Sequence, residues 1–297
     1  SPMHYLKPAL TFEQQADQLL QRGLLADRAL LIERLRAVSY YRLSAYWHPF
    51  RQPDDSLRPG TTLALVWQRY VFDRRLRCLV IDAIERIEIA VRTRMANTLT
   101  VAHGPFGHTR AANLPGLSPV QHAEFLRRIE DETQNSRETF VDHFRTKYTA
   151  EPHLPLWMAV ELMTFGATLT LFRGLDRRMK QQLAADLGIA DTVLHSWLLA
   201  LNQVRNICAH HGRLWNRQFG VQPMIPRPNK HPDWHFPVAV TGDRLFGVAT
   251  VLHYLLDLIA PQSRWPARFM ALLAAHPDIP RLPMGIPDNW QDCPLWP

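Results

Sequence analysis

Apolar residues recur at helical spacing along most of the chain. From Thr62 to about Ala102 there is no Gly and no Pro. Across that stretch Phe72, Leu76, Leu79, Val80, Ala83, Ile84, Ile87 and Val91 form one stripe, which predicts one very long helix or two nearly continuous ones. A second stripe, Leu194, Trp197, Leu201, Val204, Cys208 and His211, predicts a helix capped by Asp191 and ended by Gly212 at C′. Thr11 with Gln14 reads as a capping box for a helix that Gly23 closes, and Asp27 caps another. Pro155 opens a helix that runs through Trp157, Val160, Met163 and Phe165, with Gly166 inside it. Asp176 to Leu187, Gly242 to Ala260 and Ser263 to Ala275 complete the helices. Residues 52–61 and 103–119 read as loops. Residues 213–240 are rich in Pro, Trp and basic side chains, and the last 22 residues read as an extended tail. There is no βαβ alternation and no internal repeat, so the chain is expected to be all-α. The expected domains are an N-terminal helical and aromatic segment (1–61), a main helical domain (62–275) and a Pro-rich tail (276–297).

Composition sharpens this picture in one direction. The 297 residues carry 34 Lys plus Arg against 27 Asp plus Glu, a formal net charge of +7, which favours a polyanionic partner such as RNA. All the basic residues are Arg except Lys7, Lys147, Lys180 and Lys230, and Arg suits bidentate phosphate contacts. Three Cys, at 78, 208 and 293, give no disulfide framework and fit a reducing cytoplasm. Ser1-Pro2-Met3-His4 has neither a basic start nor an apolar core, so no signal peptide is expected. The most apolar run, Val248 to Ala260, is too short to span a bilayer, so no membrane partner is expected.

No Walker A, G-x-G-x-x-G, H-E-x-x-H or C-x-x-C is present, so nucleotide-dependent phosphoryl transfer and zinc hydrolysis have no support, and neither metal nor cofactor is expected. Arg and His remain as the chemistry-bearing residues. An Arg followed by four to six residues and a His occurs as Arg205–His210, Arg205–His211, Arg42–His48 and Arg137–His143, about as often as chance allows in so Arg-rich a chain. Context separates Arg205–His210 from the rest. Asn206 follows the Arg directly, and at about 100° per residue Asn202, Arg205, Asn206, Ala209, His210 and Arg213 fall away from the apolar stripe. His211 continues that stripe, so its ring is expected to be buried and structural. Tyr40, Tyr41, Tyr46, Trp47 and Phe50, interleaved with Arg42, His48 and Arg51, can stack bases and hold phosphates, although such a cluster is more often a core corner. The charges of the long helix, Arg74, Arg75, Arg77, Arg86, Arg92 and Arg94 among Asp73, Asp82, Glu85 and Glu88, read as a solvated, salt-bridged face.

Five blocks run in order: Tyr40–Trp47, Phe72–Arg77, Ile84–Glu88, Trp157–Gly166 and Leu201–Asn216. Together they resemble the Abi-like family, bacterial abortive-infection proteins of the AbiD/AbiF type. The resemblance implies a HEPN-like helical bundle with additional N-terminal and C-terminal helices. It also implies a metal-independent endoribonuclease of phage defence that works as a homodimer, with an Arg–Asn–x–x–x–His motif lining a cleft between two copies. Arg205, Asn206 and His210 match that motif and are the expected catalytic residues, with Asn202, His211 and Arg213 in support. RNA contacts are expected from Tyr41, Arg42, Tyr46, Trp47, Arg74 and Arg217. Two other functions fit the same residues: a non-catalytic RNA-binding protein holding a structured small non-coding RNA, and a protein-interaction module.

Overall fold

A computed structural model describes His4 and residues 8–296; Ser1–Met3, read above for a leader, and Pro297, the end of the tail, lie outside the described residues. Twelve α-helices among the described residues account for more than half of the chain. Among the described residues there is no strand, only two isolated bridges, Leu25–Thr62 and Arg51–Leu57. The chain divides into two compact units. One comprises residues 1–76 and 271–279, the other residues 77–270 and 280–297. The boundary expected at 61/62 falls inside the first unit.

The first unit holds α1 (Phe12–Gln21), α2 (Arg28–Val38), α3 (Tyr40–Trp47) and the start of α4 (Leu63–His103). Thr11 and Gln14 form the expected capping box, and the Asp27 carboxylate accepts from the Leu30 N–H. Tyr46 and Trp47 are buried. The Tyr46 hydroxyl donates to the buried Asp73 carboxylate at 2.7 Å, and Trp47 meets the Tyr40 ring edge-on at 5.0 Å. These two aromatics are therefore core residues and not base-stacking platforms, because a ring enclosed by side chains has no face left for a base. Tyr41 points the other way and is 89% exposed. Arg42 is half-buried and Arg74 exposed. Asp73 and Arg77 are buried and so lie off the solvated charged face expected of the long helix, while Arg74 and Arg75 are exposed as expected.

The second unit is organised around α10 (Asp191–Ala209). It packs against α8 (Phe165–Gly174), α9 (Arg177–Ala185) and α11 (Leu245–Ile259). Trp197 sits at the centre, fully buried between Trp234 and Tyr254, and its Nε1 donates to the Met224 carbonyl at 2.8 Å. That bond fastens the loop after α10 onto the helix. The single helix expected from Pro155 is instead two, α7 (Leu156–Leu162) and α8, broken at Met163. Thr164 caps the second helix by accepting from the Ala167 N–H, so a side-chain oxygen replaces the lost backbone partner. Before these come α5 (Pro119–Asn135) and α6 (Thr139–Lys147), and α12 (Trp265–Ala274) follows α11. Among the described residues no single helix is long and apolar enough to cross a membrane; most side chains of the apolar α11 are buried.

The C-terminal residues have no α-helix, as expected of a Pro-rich segment, but they are packed and not free. Met284, Ile286, Trp290, Cys293 and Trp296 are all buried. Trp296 stacks on Phe246 at 5.9 Å and contacts the rings of His253, Phe269 and Trp290.

One buried histidine of this unit makes stability depend on pH. His108 is 1% exposed, and its Nδ1 has no hydrogen-bond partner. Burial, with smaller contributions from His153 and His122, lowers its pKa from 6.5 to about 4. The unfolded chain therefore binds this proton first. The stability is whole above pH 6.5 and is lost as pH falls towards 4, by up to roughly 3 kcal/mol. Urea unfolding at pH 7 and pH 4.5 should show a larger loss for the native protein than for His108→Leu. Equal losses would contradict this assignment.

Candidate active site

The motif occupies the last turn of α10 and the residues just beyond it. Leu201, Val204 and Cys208 are buried, whereas Arg205, Asn206, Ala209 and His210 are exposed and Asn202 is half-buried. The 3.6-residue period thus puts a guanidinium, an amide and an imidazole on the solvent side of a helix whose other side is core. Arg205 Nη1 donates to the Asn206 Oδ1 at 3.4 Å. Asn206 also anchors the helix end, since its carbonyl accepts from the His210 N–H at 3.0 Å.

The helix ends differently from the expectation. Its N-cap is Ala190 and Asp191 is the first helical residue; at the other end the last helical residue is Ala209 and His210 is the C-cap. His211, not Gly212, takes the left-handed C′ position, with φ 57°. The His211 N–H donates to the Cys208 carbonyl at 3.0 Å and the Gly212 N–H to the Ile207 carbonyl at 2.7 Å, which is a Schellman closure. His211 is consequently exposed, because the chain leaves the helix before the apolar stripe reaches it. A side chain with a Cβ is strained there. His211→Gly should therefore keep or raise the melting temperature, while the β-branched His211→Val should cost roughly 1–2 kcal/mol. A variant series in which Gly is the more damaging would show that the ring's contacts outweigh the backbone strain.

Beyond the turn, Arg217 Nε donates to the Arg213 carbonyl at 2.8 Å, and the buried Arg77 of α4 donates to the Gly212 carbonyl at 3.3 Å. Both hold the backbone that follows His210. Arg213 and Arg217 are half-buried.

The sequence did not mark Glu88 as part of the site. Its side chain is 16% exposed, 3.9 Å from Arg92, which is itself 12% exposed and 3.6 Å from Glu161. Burial pushes the Glu88 carboxyl up, against the opposing pull of Arg92 and Arg205. Glu161, Arg92 and Glu88 thus form a charge row from α7 to α4, and Arg205 of α10 lies within its field. Arg92 also donates to the Met163 carbonyl at 3.4 Å, at the break between α7 and α8. The row was legible only in part: Glu88 lies seven residues after Ile81 and four after Ile84, on the buried side of α4, while Glu85 is exposed.

The expected RNA contacts divide between the units. Tyr41, Arg42 and Arg74 belong to the first and Arg217 to the second. No three of His, Cys, Asp and Glu converge as a metal-ligand set among the described residues. Cys208 is buried, and His235 Nε2 is engaged with the Pro226 carbonyl at 2.7 Å.

A family model described as Abi-like protein matches residues 33–216, more than half of the chain and the whole of the 205–210 motif. No curated protein and no solved structure matches.

Proposed function

Because the chain belongs to the Abi-like family, abortive-infection proteins that act in phage defence, we propose that it is a HEPN-type, metal-independent endoribonuclease. One observation carries this: Arg205, Asn206 and His210 stand together in solvent at the end of a helix whose opposite face is core. In the reaction the ribose 2′-oxygen attacks the adjacent phosphorus and the 5′-oxygen leaves, giving a 2′,3′-cyclic phosphate and a 5′-OH. His210 takes the 2′-OH proton or delivers one to the leaving oxygen. Arg205 holds the phosphate and offsets the charge that develops on it. The Glu88 carboxylate attracts the Arg205 guanidinium through space without pairing with it, and Asn206 accepts from it at the adjacent position.

In-line displacement needs a base and an acid on opposite sides of the phosphorus. Each chain supplies one His210, so two chains related by a two-fold axis supply both. The exposed Leu199, Asn206 and Ala209, on one stripe with the half-buried Asn202, support this arrangement, since Leu199 is 39% exposed and Ala209 is small enough for close approach. The active species is expected to sediment as a dimer. A strictly monomeric protein that still cleaves RNA would refute a shared site. The nuclease is separated from a non-catalytic RNA-binding protein by assaying cleavage and RNA binding together on native and His210→Ala protein. Loss of cleavage with binding retained supports the nuclease, and binding by the native protein without any cleavage supports the binder.

A further inference from the structure

A cavity of about 320 Å³ lies at the opposite end of α10 from the motif, where α8, α9 and the first turn of α10 meet the loop carrying Gly116. The loop sits so close that a Cβ on Gly116 would be 2.0 Å from the Arg173 carbonyl, and the Gly116 N–H donates to the Gly174 carbonyl at 3.0 Å. Lys180 Nζ donates to that same Arg173 carbonyl at 2.7 Å, which brings the ammonium of α9 beside the last turn of α8. His195 stacks on Phe172 at 5.9 Å and 23°. Its Nε2 is buried and has no hydrogen-bond partner. Burial, and then the charges of Arg173 and Lys180, lower the His195 pKa, so the three basic groups lie in one another's field.

Little acid balances them. Among the described residues neither Arg173 nor Lys180 forms an ion pair. Asp191 on the rim and Asp176 at the start of α9 draw on Lys180 without pairing with it, and burial still lowers the Lys180 pKa. The first turn of α10 adds to the positive potential, because its N-cap, Ala190, offers no side-chain acceptor to the free N–H groups. Thr192 contributes a hydroxyl to the wall.

We propose that this cavity binds a terminal phosphate monoester between Arg173, Lys180 and His195. Two cations match the dianion, the Thr192 hydroxyl supplies a directed hydrogen bond, and the volume accepts a phosphate with a sugar attached. A free sugar phosphate and the 5′-phosphorylated end of an RNA carry the same group. The site is separate from the 205–210 motif and does not depend on the nuclease activity.

The test is the melting temperature at constant ionic strength, with ribose 5-phosphate against ribose, and with a 5′-phosphorylated RNA oligonucleotide against its 5′-hydroxyl form. A saturable, phosphate-dependent rise of roughly 2–4 °C is expected. A response to ribose 5-phosphate identifies a small metabolite, and a response to the phosphorylated RNA alone identifies an RNA end. Arg173→Gln and Lys180→Gln should each abolish the rise. Asp191→Asn removes the rim carboxylate and should tighten half-saturation about threefold, so the proposal stays testable if the other variants fold poorly. No phosphate-dependent rise with either probe would overturn the proposal, as would a rise that Asp191→Asn and the two cation variants leave unchanged.

Discussion

Replacing His210 by alanine is expected to lower RNA cleavage by at least about 100-fold, the contribution of one positioned proton-transfer group. The melting temperature should hardly move. The imidazole is exposed at the C-cap, and the turn it belongs to is closed by backbone bonds from His210, His211 and Gly212 that survive the substitution. Arg205→Ala should lose cleavage to a similar degree and weaken RNA binding as well, because a phosphate contact goes with it. It also removes one of the two cations that oppose the desolvation of Glu88. Cleavage assays on the two variants, with circular dichroism melts beside them, check both statements. A His210→Ala protein that cleaves at the native rate would remove this residue from the chemistry.

The second large effect lies far from the motif in sequence. Trp296→Ala is expected to destabilise the protein by about 3–5 kcal/mol, the usual cost of deleting a large buried aromatic. The ring is 5% exposed, among Phe246, His253, Phe269 and Trp290. Its Nε1 donates to the Thr250 hydroxyl at 3.0 Å. Thr250 keeps its own bond to the Phe246 carbonyl, so the loss is mostly packing. Trp296→Phe should therefore cost much less, roughly 1–2 kcal/mol. Chemical denaturation of the two variants checks the difference. A near-native Trp296→Ala protein would mean that the C-terminal residues only lie against the core without contributing to it.

What the sequence disclosed follows from which interactions are local. The 41-residue α4 and the capping box at Thr11 are written in neighbouring residues, and both are found as expected. The exposure of Arg205, Asn206 and His210 is equally local, since it depends only on the phase of one helix. The end of that helix differs from the expectation because Gly212 is the better left-handed residue by itself, yet the backbone turns one residue earlier, at His211. The break at Met163 was hidden because Leu156 to Gly174 carries an uninterrupted apolar pattern, and only the Thr164 cap and the Arg92 bond to the freed carbonyl reveal it. The burial of Tyr46, Asp73 and Trp296 depends on partners tens of residues away or more, and periodicity carries no information about those. Glu88 reads as part of a solvated face for the same reason: only the fold encloses it and brings α10 and the field of Arg205 to it.

The central claim is that Arg205, Asn206 and His210 cleave RNA by 2′-oxygen attack. The most direct test is to incubate the purified protein with RNA in excess EDTA and identify the ends of the products. The account predicts cleavage that EDTA leaves intact, with 2′,3′-cyclic phosphate and 5′-OH ends and no such products from His210→Ala. Products with 3′-OH and 5′-phosphate ends, cleavage abolished by EDTA, or native protein that binds RNA and leaves it whole would contradict it.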